Sequence, residues 1–306
     1  MHTMKDLIEQ NNLILFEAAI VERLRRAGRV ELHPSLVHAT FVYDDVGKTE
    51  LEKLYRGYIS IALEAGVPIL LITPTWRANY ERVKNAEVNS SINADAVRFM
   101  LDLRESYGPD VPMIKIGGVV GCKNDSYKPE EGLTKSEAKS FHSWQIDHLA
   151  QAGVDYLLAT TLPNVNEAIG IAKAMDKTGV PYILSFVIDR NGLVLDGTDL
   201  WDAIRQIDSE TSHQPLCFMV NCSYPTFLHA QEQPKALFTR LLGFQANSSS
   251  LSHSELDGSA ELQIEDVSEW ATEMLKLQRE YGVKILGGCC GTDDTHLRSL
   301  IASNSG

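Results

Sequence analysis

Apolar residues in this chain fall into short runs separated by amphipathic stretches, and the alternation continues to the C-terminus. The runs NLILFEA (12–18), VPILLIT (67–73), VPMIKIGGVV (111–120) and DYLLAT (155–160) predict strands. PYILSFVI (181–188), LCFMVNC (216–222), RLLGFQA (240–246) and VKILGGC (283–289) predict four more. Nearly all lack a polar alternate, as burial on both faces of a parallel sheet requires. Helical periodicity marks the stretches between them, at 51–66, 136–153, 164–179, 199–207 and 267–282. Several of these end in glycine, the residue that most easily adopts the left-handed turn closing a helix.

Eight strands with helical connections predict an α/β chain folded as a (β/α)8 TIM barrel, one domain over 1–306, with its active site at the C-terminal face of the strands. An open doubly wound sheet is the second choice, but no G-x-G-x-x-G follows the first strand. The stretches 121–133 and 246–266 are too polar for a core. Long loops of that kind often belong to a site.

Composition narrows the partners. With 28 basic against 41 acidic residues the formal charge is −13. Such a chain is a poor match for phosphate backbones or anionic lipid, so neither nucleic acid nor a membrane surface is expected. No apolar run reaches membrane-spanning length, and the first residues carry no apolar signal core. Five cysteines, an odd number, fit a disulfide framework poorly. They point to a reducing, cytoplasmic setting in which clustered thiols serve metal or catalysis.

Three of the five cysteines fall where such a site is expected. Cys222 closes the sixth predicted strand, and Cys289 and Cys290 close the eighth. Alternate strands contribute to the same interior layer, so these sulfurs can converge near the barrel axis. Three thiolates suit zinc, with Zn–S near 2.3 Å, and leave a fourth position open, the mark of a catalytic centre. Three sulfurs on a divalent ion form a weak Lewis acid, better suited to holding a substrate thiol as thiolate than to polarising a carbonyl. Gly287, Gly288 and Gly291 let backbone approach that centre. Cys122 and Cys217 read as small buried residues, the latter facing a helix from within its strand.

The segment GGCCGTDDTHL (287–297), together with VNC (220–222), resembles the homocysteine S-methyltransferase family of zinc-dependent barrels, which includes the betaine-dependent enzymes. Weaker echoes lie at 141–168, 184–186, 195–197 and Trp270. The resemblance implies that Cys222, Cys289 and Cys290 hold Zn2+. It also implies that a methyl group moves from a sulfonium or quaternary ammonium donor to homocysteine, yielding methionine. The expected partners are thus a small-molecule thiol and a cationic methyl donor, with a homo-oligomer compatible with the fold.

Departures from the family pattern define the substrate-side candidates. Glu17 and Ala18 replace an Asp-Gly pair after the first strand, and the segment after the second strand reads Thr73–Thr75 followed by Trp76. Thr160 stands where the family places a glutamate used on the substrate's amino group. Losing that buried carboxylate removes a charge-assisted bond of roughly 1.5–3 kcal/mol. Glu17, Trp76, Thr160 and Asn221 are therefore the candidate substrate-binding residues: Glu17 to meet a cation, Trp76 to wall one through cation–π attraction, Asn221 to orient Cys222. His142 and His148 are too badly spaced on their helix to act as ligands. His296 reads as a surface residue behind an N-cap at Thr292. Other readings are the same chemistry on another thiol or selenol, a zinc-holding relative without transferase activity, and a vicinal-disulfide redox protein.

Overall fold

Eight parallel strands close into a ring in chain order: β1 Ile14–Phe16, β2 Ile69–Ile72, β3 Ile114–Gly121, β4 Tyr156–Leu162, β5 Tyr182–Phe186, β6 Cys217–Ser223, β7 Leu241–Ala246 and β8 Ile285–Gly288. The ring is completed by β1 against β8, with Ile14 opposite Ile285 and Leu15 opposite Leu286. The computed structural model describes residues 3–108, 113–251 and 265–304. The first two residues of the predicted third strand, and 252–264 of the long polar stretch, lie outside the described residues.

Helices surround the ring: α1 Met4–Gln10, α2 Val21–Ala27, α3 Asp45–Ala65, α4 Tyr80–Asn85, α5 Ile92–Glu105, α6 Lys135–Gln151, α7 Val165–Met175, α8 Leu200–Glu210, α9 Val267–Tyr281 and α10 Asp294–Asn304. Their starts follow side-chain capping. Asp44, Thr134, Asp199 and Asp266 each accept a backbone N–H in the first turn of the helix they precede. Gly66 and Gly282 close α3 and α9 in the left-handed conformation. This is the (β/α)8 barrel that the strand and helix patterning predicts. Among the described residues no helix is long and apolar enough to cross a membrane.

The barrel interior is filled by large residues set against glycines. Tyr156 on β4 stands opposite Gly117 on β3, and Met219 on β6 opposite Gly243 on β7. A Cβ on Gly117 would lie 2.7 Å from the Tyr156 hydroxyl, and one on Gly243 2.8 Å from Met219 Cε. Ile14, Phe16, Leu70, Val119, Leu158, Ile183 and Ile285 complete this interior cluster, and Met4, Leu7 and Ile8 of α1 close it from below. Cys217 belongs to the same cluster, so it faces the barrel axis, not a helix as its sequence context implies. A strand apolar at every position offers no alternation from which its inward face can be read. Burial pushes the Cys217 thiol up to about 12.

Candidate active site

Two irregularities at the upper rim of the barrel shape the site. The pairing of β4 with β5 slips between Ala159 and Leu162, and that of β6 with β7 slips between Asn221 and Ser223. At the slips Thr161 and Cys222 take left-handed backbone, φ 58° and 52°. Neither residue favours that conformation, which costs about 1–3 kcal/mol at each position. The buried Asn221 side chain holds both slips. Its Oδ1 accepts Thr161 N–H at 2.9 Å and Ser185 Oγ–H at 2.7 Å. Its Nδ2 donates to Thr161 Oγ1 at 2.8 Å and to Cys222 Sγ at 3.2 Å. The left-handed turn at Cys222 takes its side chain out of the strict strand alternation and onto the rim.

The other two thiols come from the turn after β8. Cys289 N–H donates to Ala246 O at 2.6 Å and Thr292 Oγ1 donates to Cys289 O at 2.6 Å. Glu22, at the start of α2, accepts Gly291 N–H. A Cβ on Gly288 would lie 2.6 Å from Thr292 Cβ, so the turn closes this tightly only with glycine there. Thr292 is therefore a brace for the cysteine turn, bonded also by Ala19 N–H at 3.3 Å, and not the cap of α10.

Asn247, just beyond β7, ties the two cysteine segments together. Its Nδ2 donates to Cys222 O at 3.0 Å and its Oδ1 accepts Cys290 N–H at 3.2 Å. The indole of Trp270 fixes Asn247 by donating to its carbonyl at 3.0 Å. His296 packs edge-on against Trp270 at 5.1 Å and is 2% exposed. It is thus a buried packing residue, not the surface histidine that the neighbouring Asp293 and Asp294 imply.

The result is a cluster in which the Sγ atoms of Cys222, Cys289 and Cys290 lie within 4.8 Å of one another. Cys222 and Cys289 stand 2.6 Å apart, and neither they nor Cys290 form a disulfide. Tetrahedral zinc with Zn–S near 2.3 Å spaces its sulfurs by roughly 3.8 Å. The donor set fits a thiophilic metal once Cys222 and Cys289 separate by about 1 Å, a side-chain adjustment. Hydrogen bonds from Cys289 and Cys290, then from Asn221 and Tyr127, outweigh burial and hold the Cys222 thiol well below its usual range. The same sulfur contacts push Cys289 up. The cluster thus favours a thiolate at Cys222, the form a metal requires.

Beside the sulfurs opens a cavity of about 160 Å³ lined by Glu17, Trp76, Thr160 and Asn221, the four candidates, and by His38, Tyr127 and Gln245. Glu17 is 3% exposed; its Oε2 accepts Ile72 N–H at 2.9 Å. Burial pushes its carboxyl well above the ordinary carboxylate range, against the opposing Ile72 bond. Trp76 already carries the Arg77 guanidinium over its ring at 4.2 Å, so one aromatic face is taken by this chain's own cation. Thr160 borders the cavity at 6% exposure.

Tyr127 and His38 do not stand out in the sequence. Tyr127 lies within the polar stretch 121–133 and borders the cavity together with Cys222, while its ring remains open to solvent. Only an aromatic residue in mid-loop hinted at it. His38 follows Val37, whose backbone is left-handed, and burial lowers its pKa to about 4. Its buried Nδ1 has no hydrogen-bond partner. Nothing in its sequence context separates it from any other histidine.

A closed barrel with three thiols gathered over its upper mouth and a cavity beside them defines a barrel enzyme of thiol chemistry, with a cluster able to hold a metal ion. Residues 15–303 match the family model described as homocysteine S-methyltransferase. The chain belongs to that family and is a methyltransferase of it. It is 23% identical to betaine–homocysteine S-methyltransferase 1 of Bos taurus over 324 aligned residues, 97% of this chain and 74% of that protein. It is 21% identical to the homocysteine S-methyltransferase YbgG of Bacillus subtilis, covering 99% of this chain and 98% of the relative. Among solved structures, the metallated form of the Escherichia coli homocysteine methyltransferase MmuM superposes with TM-score 0.75 at 19% identity, over 97% and 98% of the two chains.

Proposed function

We propose that this chain, folded as one domain and acting in the cytoplasm, is a zinc-dependent S-methyltransferase. It takes a methyl group from a sulfonium or betaine-type donor and places it on homocysteine, giving methionine. The observation that carries this reading is the trio Cys222, Cys289 and Cys290 within 4.8 Å at the edge of the mouth cavity. Their Sγ atoms would hold Zn2+. When bound, zinc supplies a soft acceptor that keeps a substrate thiol ionised at neutral pH.

The protein's own groups do the rest. Asn221 holds the Cys222 sulfur at the rim, and Asn247 ties the Cys222 segment to that of Cys290. Glu17 offers a buried carboxyl to a cationic group, either the amino group of the thiol substrate or the onium donor. The net charge of −13 favours a cationic donor over an anionic one. In the transfer, a carbon–sulfur bond forms to the thiolate as the donor's methyl bond breaks. The donor's onium centre departs as a neutral sulfide or amine, and the thiol proton has already gone to solvent. The walls hold the two reactants in line, which is worth several powers of ten in rate.

The test uses protein purified with reductant and confirmed to hold zinc. It is incubated with homocysteine and, separately, S-adenosylmethionine, S-methylmethionine and betaine, and methionine is quantified by mass spectrometry. Methionine is expected with one donor. Zinc-loaded protein that makes none with any donor overturns homocysteine as acceptor. A second reading, methyl transfer to a different small thiol or selenol, is favoured by one observation. Thr160, not a carboxylate, borders the cavity. Competition between homocysteine and other thiols for the donor separates the two.

A further inference from the structure

Glu167 takes no part in the site described above, yet it is a buried charge with an unusual set of partners. It sits in the first turn of α7 and is 1% exposed. Its Oε1 accepts Lys123 N–H at 2.8 Å, and its Oε2 accepts Leu133 N–H at 3.2 Å. Lys123 and Leu133 are the two ends of the loop that carries Tyr127. His142 Nε2, fully buried on α6, pairs with Oε1 at 2.9 Å. Burial opposes the charge, but the bonds from His142, Lys123 and Leu133 leave the Glu167 carboxyl below its ordinary range.

The remainder of the loop is fixed from neighbouring elements. Arg77 donates to Cys122 O at 3.0 Å, Asn124 O at 2.7 Å and Ser126 Oγ at 3.3 Å. Asn124 Nδ2 reaches across to Glu131 O at 2.8 Å. Asn164, the cap of α7, donates to Pro129 O at 3.2 Å. A loop held only by solvent would leave Tyr127 free to swing. Here its ends are drawn onto a single carboxylate, and its middle carries Tyr127 to the cavity wall that it shares with Cys222.

We propose that Glu167, supported by His142, is a positioning residue of the active site. It closes the 123–133 loop at both ends, and thereby sets Tyr127 over Cys222 and governs how a small thiol reaches the sulfur cluster. The proposal rests on the reading above for the identity of the reacting thiol, but not for the geometry. Glutamine at 167 keeps the shape but replaces one acceptor with an N–H donor facing a loop N–H, so one loop end is released.

The test labels the full chain, as isolated with its zinc content recorded, with iodoacetamide and follows each cysteine by peptide mass spectrometry. Cys217, sealed inside the barrel, reports global loosening; Cys222 reports the loop. Glu167→Gln is expected to speed Cys222 labelling about tenfold, as local opening does, with Cys217 silent. Tyr127→Ala is expected to give the same increase, and the double variant no more than Tyr127→Ala alone. In methyl-transfer assays the KM for the thiol should shift by a similar factor in both single variants.

Unchanged Cys222 labelling in Glu167→Gln, or Cys217 and Cys222 rising together, overturns the proposal. If Glu167→Gln does not fold, Leu133→Pro carries the same test. Gly132 before it has φ −62° and ψ 144°, which a following proline accepts, and the Leu133 N–H is removed from the buried carboxylate together with the partly buried leucine side chain. Cys222 labelling that stays at the wild-type rate in Leu133→Pro also overturns it. Labelling is read without turnover, so a chain that makes no methionine leaves this result intact.

Discussion

Asn221 and Thr161 are joined at both ends of the asparagine amide, the oxygen accepting from Thr161 N–H at 2.9 Å and the nitrogen donating to Thr161 Oγ1 at 2.8 Å. The two residues sit at neighbouring breaks in strand register, and Cys222 owes its place on the rim to that coupling. Asn221→Ala would leave the buried Thr161 N–H without an acceptor and release both left-handed positions. A loss of about 1–3 kcal/mol in unfolding free energy is expected, measured by urea titration, together with weaker zinc retention against a chelator. A variant of wild-type stability and wild-type zinc affinity would show that the register breaks hold themselves.

Cys289→Ala removes one of three donors. Zinc content, measured by mass spectrometry of the acid-released metal, and methyl transfer are expected to fall together, since two sulfurs cannot hold a catalytic centre of this kind. Activity that persists after the metal has gone would exclude the zinc reading.

Asn247→Ala cuts the link between Cys222 O and Cys290 N–H. The barrel should remain folded, with a cost of about 1–3 kcal/mol from the two unsatisfied groups. The larger expected effect is on the metal, because the cysteine segments are no longer held at one spacing. Zinc release followed with a chromogenic chelator should be several-fold faster than from wild type, while Trp270→Phe, which removes only the bond to Asn247 O, should lie between.

Glu17 gives a pH dependence with a defined sign. Burial raises its carboxyl well above the ordinary carboxylate value. The folded chain therefore binds this proton more tightly than the unfolded one. Its contribution to stability is full below about pH 4.5 and declines as pH rises toward the folded value, by roughly 1.4 kcal/mol per pH unit at most. Glu17→Gln should remove that slope from urea midpoints measured across the range. An ammonium or onium group bound beside Glu17 reverses the preference, so its affinity should rise with pH in wild type and stay flat in the variant.

How much of this was legible before the fold was known differs residue by residue. The ring of strands was legible because parallel strands buried on both faces leave continuous apolar runs, and DYLLAT or PYILSFVI has no competing explanation. The cysteine trio was legible because burial alone does not explain a Cys-Cys pair set between glycines. Cys217 was misplaced for the reason that made its strand easy to find: with every position apolar, inside and outside look alike. The Gly-Thr-Asp-Asp run does open a helix, at Asp294, but it does not show that Thr292 braces Cys289 O or that His296 packs on Trp270. Tyr127, His38 and the Glu167 clasp were out of reach, since each gains its role from partners far off in the chain.

The helix Met4–Gln10 seals the lower end of the barrel with Met4, Leu7 and Ile8. Thiol and methyl donor therefore approach the sulfurs from the same side, through the mouth that Glu17, Trp76 and Tyr127 border. Whichever reactant lies deeper has to enter first and, as product, leave last. Kinetics with both substrates varied would then show compulsory order, with the deeper product trapped until the shallower one has cleared the entrance.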